Sequence, residues 1–524
     1  MQDNRHESKD GERQNRERRD SSVQEGGSSR KRTVAGCVLL VLLALALRIG
    51  LAEKITTVFQ PDEIFQSLEP AHRLAYGYGV ITWEWIVSMR SWVVPFFLSV
   101  IMRMTAWMGA GSSGYLLGVT VALSVLSLTS IWFAYAWARR VSGPMAGWIA
   151  ALACTLHFTL VYFSPRAFSE VIAAHVLLPG LYFGAFAEGK HEKGRLFLAG
   201  ALCGLAVCLR LQLAPAVVVA IVYFCYSGSR NPDSHHLGWR QRWLPVLCGF
   251  VLPVLLFGLV DKVTWSYPWQ SFVVYFVMNV VKGRASTYGT DPWYAYAEDL
   301  LRLLGPWLLF VWHGARRSPF LAVIVLVIVI SHSFLAHKEI RFIYPVVPIA
   351  LTLASIGFVE ILSKSDWRFL PRLGSRAIFS TSVGVILISS FFSLYALRGK
   401  VKSMGAMRAM AALSRDENVC GVGLDNVPWW STGGETYLHH NVALLDLDSP
   451  TRLEADSGDV NVLLAPEGIA GVPSGFALTE CWNNVCVLKR PGGCAPAPPS
   501  DEVNTYMRQE AEDAESSAPP ESKH

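Results

Sequence analysis

Runs of about 20 residues with few or no charged side chains recur along most of this sequence, and a helix of that length crosses a lipid bilayer. Charged residues make up only 17% of the 524 residues, whereas soluble proteins carry about 25%. Trp, Phe and Tyr are frequent, which is typical of the aromatic belts at membrane interfaces. These features exclude a soluble enzyme, a disordered protein and a nucleic-acid binder. The net charge of +5 is small and indicates little about partners.

The apolar runs predict an all-α polytopic membrane protein with about 11–13 transmembrane helices. Several runs are short or contain proline, as at Pro179, Pro215, Pro253 and Pro306, so one of them could be two half-spans or a re-entrant piece. The spans that we predict lie at 34–52, 93–109, 115–137, 144–163, 168–187, 195–210, 212–226, 243–261, 299–313, 319–335, 341–362 and 377–397.

Both ends of the chain are polar. Residues 1–32 mix acidic and basic side chains with Gly and Ser, which predicts a disordered tail. Basic residues 30–32 end this tail and favour a cytoplasmic N-terminus, followed by a first span that is not cleaved. Residues 496–524 are acidic and rich in Pro and Ser, and predict a second disordered tail.

Between these tails the sequence predicts two domains. Residues 33–397 would form the transmembrane domain, in which 54–92 is the first extracytoplasmic loop. Residues 398–495 would form a small soluble α/β appendage. Short β-like runs separated by Gly and Pro support that interpretation, at 419–424, 442–447, 460–464 and 485–488.

The appendage contains four cysteines, Cys420, Cys481, Cys486 and Cys494. An even number of cysteines in a small polar domain favours disulfides and therefore an extracytoplasmic location. Free thiols in a cytosolic domain are the alternative. Zinc binding is less favoured, because the spacing of Cys481 and Cys486 exceeds that of a usual ligand pair and no His lies in the cluster.

The first loop carries a cluster of ionisable residues in an otherwise apolar and aromatic stretch: Asp62, Glu63, Glu69 and His72. A carboxylate held among apolar groups at the bilayer edge can have a raised pKa and act as a general base. The alternative is helix capping, since acids that follow Pro61 suit the first turn of a helix.

Two aromatic segments are candidates for sugar binding. Trp83, Glu84 and Trp85 follow the carboxylates, and indole faces stack on sugar rings while a carboxylate bonds a hydroxyl. An interfacial aromatic anchor is the alternative. Tyr288 and Trp293 bound a turn that is rich in hydrogen-bonding groups, within a second polar stretch at 262–298.

His337, Lys338, Glu339 and Arg341 lie at the mouth of a long apolar span. Charges at membrane depth are costly unless they face a pocket or a partner. His337, Lys338 and Arg341 could hold a phosphate, with Arg341 as a forked donor. A positively charged flank of the helix is the alternative.

In this order and membrane context, the four segments resemble the glycosyltransferase family 22 mannosyltransferases of the GT-C superfamily. The resemblance covers about residues 34–400 and is nearest to the branch that adds the third mannose of glycosylphosphatidylinositol (GPI) anchors. The matching blocks are PDE-x-x-QSLE-x-x-H from Pro61, YG-x-x-TWEW from Tyr78, YGT-x-PW-x-x-Y from Tyr288 and HKE-x-RF-x-YP from His337.

The resemblance implies a GT-C fold and an inverting α-mannosyltransferase that acts on the extracytoplasmic face. Its donor would be polyprenyl-phosphate-mannose (dolichyl in eukaryotes), and its acceptor a mannose-containing glycolipid or glycan. Membrane lipid is a further expected partner, and neither a metal nor another cofactor is expected. The location would be the endoplasmic reticulum membrane in a eukaryote or the plasma membrane in a bacterium. Alternatives are a GT-C transferase of another lipid-linked sugar and a glycolipid transporter without chemistry.

The resemblance also implies roles for individual residues. Asp62, with Glu63 beside it, would be the catalytic base. The donor phosphate would be held by His337, Lys338 and Arg341. The residues expected to contact sugar or acceptor are Glu69, His72, Trp83, Glu84, Trp85, Tyr288 and Trp293.

Overall fold

The computed structural model describes residues 33–54, 57–227, 237–363, 374–398, 402–447, 458–468, 472, 474–494 and 502–516. The expected tail at 1–32 lies outside these residues. The α-helices are Thr33–Lys54, Glu69–Tyr76, Trp83–Ile86, Val93–Thr105, Ser113–Leu156, Phe158–Phe163, Ser169–Ala185, Glu192–Leu209, Ala214–Ser227, Trp239–Thr264, Gln270–Phe276, Ala295–Leu304, Leu308–Arg317, Pro319–Ser333, Val346–Ser363, Ser375–Arg398, Gly405–Leu413, Gly434–Leu438 and Glu502–Ser516.

Five of these helices are long and apolar enough to cross a membrane: Thr33–Lys54, Ser113–Leu156, Trp239–Thr264, Val346–Ser363 and Ser375–Arg398. Further apolar helices are shorter, at Val93–Met108, Ser169–Ala185, Leu211–Ser227, Gln270–Val281 and Pro319–Ser333. The prediction of an all-α polytopic membrane protein is confirmed, and the chain is a multi-pass membrane protein.

The helices differ from the predicted spans in several places. The predicted spans 115–137 and 144–163 meet in Ser113–Leu156, which is kinked at Ser142 and Gly143, and the second of them is interrupted at His157. The predicted span 299–313 is divided at Gly305, whose φ of 50° is incompatible with a continuous helix. The predicted span 341–362 begins only at Val346, because Ile340–Ile343 forms a 3₁₀ turn that carries Arg341. An apolar helix, Gln270–Val281, lies inside the segment 262–298 that we expected to be too polar to enter a membrane.

The core of the helical part surrounds Val346–Ser363, most of whose residues are buried. This helix packs closely on Leu308–Arg317. A Cβ on Gly314 would lie 1.8 Å from the Leu353 carbonyl oxygen, and one on Gly357 would lie 2.0 Å from that of Phe310. Small residues thus let two backbones touch, which is how helices associate where lipid removes the hydrophobic driving force.

The C-terminal part contains the predicted α/β appendage, built on a mixed five-stranded sheet. We number the strands β1 Thr57–Val58, β2 Lys402–Ser403, β3 Gly421–Leu424, β4 Ala443–Asp446, β5 Val462–Pro466, β6 Ala477–Trp482 and β7 Val485–Lys489. The sheet order is β4-β3-β5-β7-β6, with β3 parallel to both β4 and β5 and the other two pairs antiparallel. Four of these strands match the predicted runs, whereas β6, with largely exposed residues, was not predicted.

Two disulfides, Cys420–Cys494 and Cys481–Cys486, stabilise the appendage, so the expectation of disulfides is confirmed. Strands β1 and β2 pair antiparallel, with Thr57 opposite Ser403. The short ladder fastens the start of the first loop to the start of the appendage.

The interpretation of 496–524 as a disordered tail is wrong for residues 502–516, which form a helix. Its apolar side chains recur at helical spacing and are buried: Val503, Met507, Ala511 and Ala514. The helix packs against Trp83–Ile86 and strand β4. Lys282 donates hydrogen bonds to the carbonyl oxygens of Ala514 and Glu515 at its C-terminal end, at 3.2 and 2.6 Å.

Candidate active site

The first loop presents its carboxylates through an unusual helical turn. Asp62 and Glu63 follow Pro61, and residues Ile64–Leu68 then wind into a π-helix that leads directly into Glu69–Tyr76. π-Turns are rare and occur frequently at functional sites. Ile64 and Phe65 are buried in the core shared with the appendage, so the apolar side of the turn is fixed while Asp62 is left at the surface of the cluster described next.

Asp62 belongs to a cluster of carboxylates around one guanidinium. Arg341 donates from Nη2 to Asp62 and from Nε to Glu339 Oε2 at 2.7 Å. Its Nη1 lies 3.4 Å from Oε1 of Glu170, which in turn lies 3.0 Å from Nη2 of Arg210. Arg341 thus joins residues from the first loop, the start of Ser169–Ala185 and the 3₁₀ turn at Ile340–Ile343.

The members of this cluster differ in exposure. The Asp62 side chain is 34% exposed, whereas those of Glu170 and Arg341 are 2% and 4% exposed. Asp62 is therefore the carboxylate that a substrate can reach. The buried acids compensate the charge of Arg341 and hold its donors in place.

His337 and Lys338 lie beside the cluster, and protein oxygens engage both. His337 Nε2 bonds Glu339 at 3.0 Å, and this bond raises the pKa of His337. Burial raises the pKa of Glu339, but Arg341 and His337 together lower it further, to about 2. Lys338 Nζ donates to the carbonyl oxygens of Asp291 and Leu335, at 3.0 and 2.6 Å. The expected roles of His337, Lys338 and Arg341 in phosphate binding stay a prediction.

A cavity opens beside this cluster, and it encloses about 640 Å³ when the space at its mouth is included. Its lining includes the polar residues Gln66, Arg90, Ser169, Arg210, Gln212 and Ser271. It also includes the apolar residues Val94, Pro95, Leu209, Leu211, Phe257 and Phe272. The cavity therefore suits a molecule with an anionic group attached to a hydrocarbon.

Arg210 faces the cavity with an unsatisfied donor. Its Nε is buried and has no hydrogen-bond partner among the described residues. Its guanidinium also lies over the Phe342 ring, 5.0 Å from the centroid. Buried donors are normally paired, so the unpartnered Nε leaves part of the positive charge of Arg210 uncompensated beside the cavity. Arg90, by contrast, is paired through two of its nitrogens with Glu84, at 2.7 and 3.3 Å.

Glu63 and Glu84, two further expected site residues, form ion pairs. Glu63 accepts from Arg166 at 2.8 Å and has a largely buried side chain. Glu84 accepts from Arg90 and, at 3.3 Å, from Gln66. These pairs connect the first loop with the turn between Phe158–Phe163 and Ser169–Ala185 and with Arg90 in the cavity lining, so both acids shape the site around Asp62.

Glu69 and His72 do not reach the cluster, and the expectation that they contact sugar or acceptor does not fit their burial. Glu69 is fully buried and accepts from the amides of Val80, Glu435 and Thr436, at 2.8 to 2.9 Å. Burial raises the pKa of Glu69 in spite of these hydrogen bonds. The carboxylate therefore fastens the first loop to the appendage.

His72 also connects the first loop to the appendage, within a cluster of aromatic rings that includes Tyr78 and His439. Its Nδ1 lies 3.2 Å from the carbonyl oxygen of Tyr78, and its Nε2 lies 3.1 Å from Nδ1 of His439. Because a carbonyl only accepts, Nδ1 of His72 carries the proton and Nε2 accepts from His439. Burial, and the proximity of His439, lower the pKa of His72 to about 3.

The aromatic candidates divide into buried and exposed pairs. Trp83 and Trp85 are 5% and 3% exposed, so they offer no free face for a sugar. Trp83 packs with the C-terminal helix Glu502–Ser516, and Trp85 Nε1 donates to the Phe65 carbonyl at 3.1 Å. Tyr288 and Trp293 are 57% and 76% exposed, and both are free to meet a substrate.

Sequence reasoning missed Glu170 and Arg210. Glu170 begins the helix Ser169–Ala185, and Arg210 directly follows Glu192–Leu209. Ionisable residues at the ends of apolar spans were the signal that identified residues 337–341, and the same signal marks these two. Within the described residues, no group of three or more His, Cys, Asp or Glu side chains could hold a metal ion.

Comparison with known proteins gives a consistent family. The sequence profile of the Alg9-like mannosyltransferase family matches residues 39–439. The GPI mannosyltransferase 3 of Yarrowia lipolytica is 28% identical over 409 residues, which cover 77% of this chain and 75% of that protein. The GPI alpha-1,2-mannosyltransferase 3 of Xenopus laevis is 26% identical over 388 residues, which cover 72% of this chain and 67% of that protein.

A solved structure shares the fold. The crystal structure of ArnT from Cupriavidus metallidurans bound to undecaprenyl phosphate superposes with a TM-score of 0.58 at 13% sequence identity. The match covers 88% of this chain and 99% of that protein. The likeness confirms the predicted GT-C fold.

Proposed function

This chain belongs to the Alg9-like mannosyltransferase family, and we propose that it transfers mannose from polyprenyl-phosphate-mannose to a mannose-containing glycolipid with inversion at the anomeric carbon. One observation carries the proposal: a part-exposed carboxylate, Asp62, lies in the same charge cluster as Arg210, and Arg210 lines a cavity that also has apolar side chains in its lining. A base for the acceptor and a site for a lipid phosphate are thus adjacent.

Asp62 is the general base in this proposal. The leaving group is a phosphate, which departs as an anion without an acid, so the acceptor hydroxyl is the group that must lose a proton. Asp62 is the accessible carboxylate of the cluster and is oriented by Arg341. Glu63 supports it by fixing the loop to Arg166.

The donor occupies the cavity. Its phosphate lies at the guanidinium of Arg210, and its hydrocarbon lies against the apolar side chains of Phe257 and Phe272. The ArnT structure, in which the bound molecule is undecaprenyl phosphate, supports a lipid phosphate as one ligand of this fold. His337 contacts the Tyr288 ring and Lys338 donates to the Asp291 carbonyl oxygen, so in this proposal both lie on the side of the site that faces the sugars.

The acceptor in this proposal is a GPI precursor that ends in mannose, joined through an α-1,2 linkage. The names of the relatives, GPI mannosyltransferase 3 and GPI alpha-1,2-mannosyltransferase 3, support that choice. The exposed Tyr288 and Trp293 border the place where its sugars would lie. The disulfides of the appendage support an extracytoplasmic site, because disulfides persist in oxidising compartments.

The test uses the purified full-length protein in detergent or nanodiscs. It is supplied with polyprenyl-phosphate-mannose and a panel of mannose-ended glycolipids, and mass spectrometry with linkage analysis identifies the product. We expect one added α-mannose on a GPI precursor, at an unchanged rate in the presence of EDTA. If sugar is transferred only from another polyprenyl-phosphate sugar, the proposed donor is wrong. If mannose is transferred only to a different mannose-ended lipid, the proposed acceptor is wrong.

A further inference from the structure

Glu170 contacts two arginines that serve different parts of the site. Its Oε1 lies 3.0 Å from Nη2 of Arg210 and 3.4 Å from Nη1 of Arg341. The Glu170 side chain is 2% exposed, so both contacts occur away from water, where charge interactions are strong. One carboxylate oxygen is thus shared by two cations.

Each arginine also has another partner. Arg210 lines the cavity and has the unsatisfied Nε. Arg341 holds Asp62. The sequence of contacts therefore runs from the cavity through Arg210, Glu170 and Arg341 to Asp62, and a change of charge at one end changes the balance at the other.

We propose that Glu170 is a positioning residue that couples the charge of the donor phosphate to the hold of Arg341 on Asp62. This inference rests on the proposed function. A phosphate at Arg210 competes with Glu170 for that guanidinium. The interaction of Glu170 with Arg341 then becomes stronger, and the interaction of Arg341 with Asp62 becomes weaker.

The coupling acts in the direction that transfer requires. The bond between the anomeric carbon and the phosphate oxygen breaks, and its electron pair leaves on the phosphate, which changes from a diester anion to a more highly charged monoester. The acceptor oxygen forms the new bond to the anomeric carbon, and its proton passes to Asp62. As negative charge grows at Arg210, the carboxylate that must take the proton becomes less constrained by Arg341.

A second buried glutamate provides the matched control. Glu192 pairs with Arg242, whose side chain is 1% exposed, and Arg242 also donates to the Phe224 carbonyl at 2.7 Å. Glu192 and Arg210 lie at opposite ends of the helix Glu192–Leu209, roughly 27 Å apart at 1.5 Å per residue. E192Q therefore removes a buried glutamate charge without touching the site.

The experiment measures E170Q, R210Q and E192Q in the full-length protein. For each variant, transfer kinetics are recorded against pH, and binding of a polyprenyl phosphate without sugar is measured by titration. In E170Q, Arg210 is free for the phosphate and Arg341 holds Asp62 more firmly. We expect polyprenyl phosphate to bind about fivefold tighter or more, while kcat falls about tenfold. The acid limb of kcat/KM should move to lower pH.

R210Q should show the reverse pattern, and it keeps the inference testable if E170Q does not fold. Polyprenyl phosphate should bind about tenfold more weakly, and the acid limb should move to higher pH, because Glu170 is left to Arg341 alone. E192Q should change neither binding nor the pH profile per folded molecule.

A parallel loss of kcat and phosphate affinity in E170Q, or no change in either, would overturn the coupling, since a purely structural glutamate predicts one of those results. Wild-type protein that transfers mannose normally while E170Q lacks the opposed shifts refutes only this inference. Wild-type protein that transfers no mannose from a polyprenyl phosphate refutes the proposed function instead.

Discussion

The guanidinium of Arg341 donates a hydrogen bond to the carboxylate of Asp62, although 279 residues separate them in the chain. The same guanidinium bonds Glu339 and contacts Glu170, so its donors are directed at carboxylates. The sequence predicted that Arg341 binds the donor phosphate as a forked donor. Its contacts suit it better to orient the base, Asp62. The first two predictions separate these roles.

Replacing Asp62 by Asn should abolish transfer while leaving donor binding near normal. Asn keeps the shape and can still accept a hydrogen bond from Arg341, but it cannot take a proton. Loss of a general base costs about 10²–10⁴-fold in rate. Single-turnover transfer and titration with polyprenyl phosphate measure the two effects.

The matched control is E63Q, because Glu63 is the adjacent carboxylate and is paired with Arg166 at 2.8 Å. We expect E63Q to lose less activity than D62N. Full activity in D62N together with an inactive E63Q would assign the base to Glu63.

Replacing Arg341 by Lys should lower kcat more than donor affinity. An ammonium group is a point charge and cannot bond Asp62 and Glu339 with the planar geometry of a guanidinium. R341A leaves buried carboxylates uncompensated, which costs about 3–5 kcal/mol of folding stability, so a low yield is expected. Steady-state kinetics against donor concentration distinguish the effects.

If R341K instead raises the KM for the donor and leaves kcat unchanged, Arg341 binds the donor phosphate. Wild-type kinetics in R341K would make the residue a plain positive flank of the span.

Acidification should loosen the junction between the first loop and the appendage. The pKa of His72 is lowered to about 3 in the folded protein, against an ordinary value near 6.5. Between these values His72 binds more protons in the unfolded chain, so the contribution of His72 to stability is complete above about pH 6.5 and falls as the pH decreases toward 3. By linkage the loss at pH 5 is about 2 kcal/mol.

The measurement is the melting temperature of the purified protein between pH 7.5 and 5. H72Q should be less stable at pH 7.5, because it loses the ring contacts with Tyr78 and His439, and its melting temperature should depend less on pH. An equal pH dependence in both proteins would contradict the assignment to His72.

The C-terminal helix Glu502–Ser516 should be needed to hold Trp83. Ala511 is 3% exposed and packs in one cluster with Trp83 and Met278, so Ala511→Asp buries an unpaired charge there. We expect helix release, seen as faster proteolysis after residue 494 and a lower melting temperature. Glu512→Asp, at the exposed neighbouring position, is the control and should leave both unchanged. Unchanged proteolysis in A511D would mean that the helix does not dock.

Much of this arrangement could be predicted from the sequence, because two of the physical rules involved depend only on residues close together in the chain. Apolar runs of bilayer length were enough to predict the helical membrane architecture. Charges at the mouths of spans gave Asp62 and Arg341, since such charges need partners. The rules do not say which acid meets which base, because that pairing depends on the packing of helices far apart in the chain.

The C-terminal helix was missed because the polar composition of its segment concealed four apolar residues at helical spacing. The C-terminal segment reads as acidic and polar, yet four apolar side chains at helical spacing suffice to dock it on Trp83. That docking, in turn, buries an indole that the sequence suggested for sugar binding. Glu69 and His72 were assigned to the substrate because they lie in the block of the first loop that resembles the family. Their partners, Thr436 and His439, lie in the appendage, which added little to that resemblance.

The Thr436 amide and Glu69, which share a hydrogen bond, are 367 residues apart in the chain. This separation determines how long the first loop waits for its partner during synthesis. At about 5–20 residues per second, a ribosome needs roughly 20–70 s to reach the partner after it has made the acid. During that interval the first loop lacks the segment that completes its fold. Its apolar residues, among them Ile64 and Phe65, then stand exposed. The first loop therefore reaches its final packing only after most of the membrane helices have been synthesised.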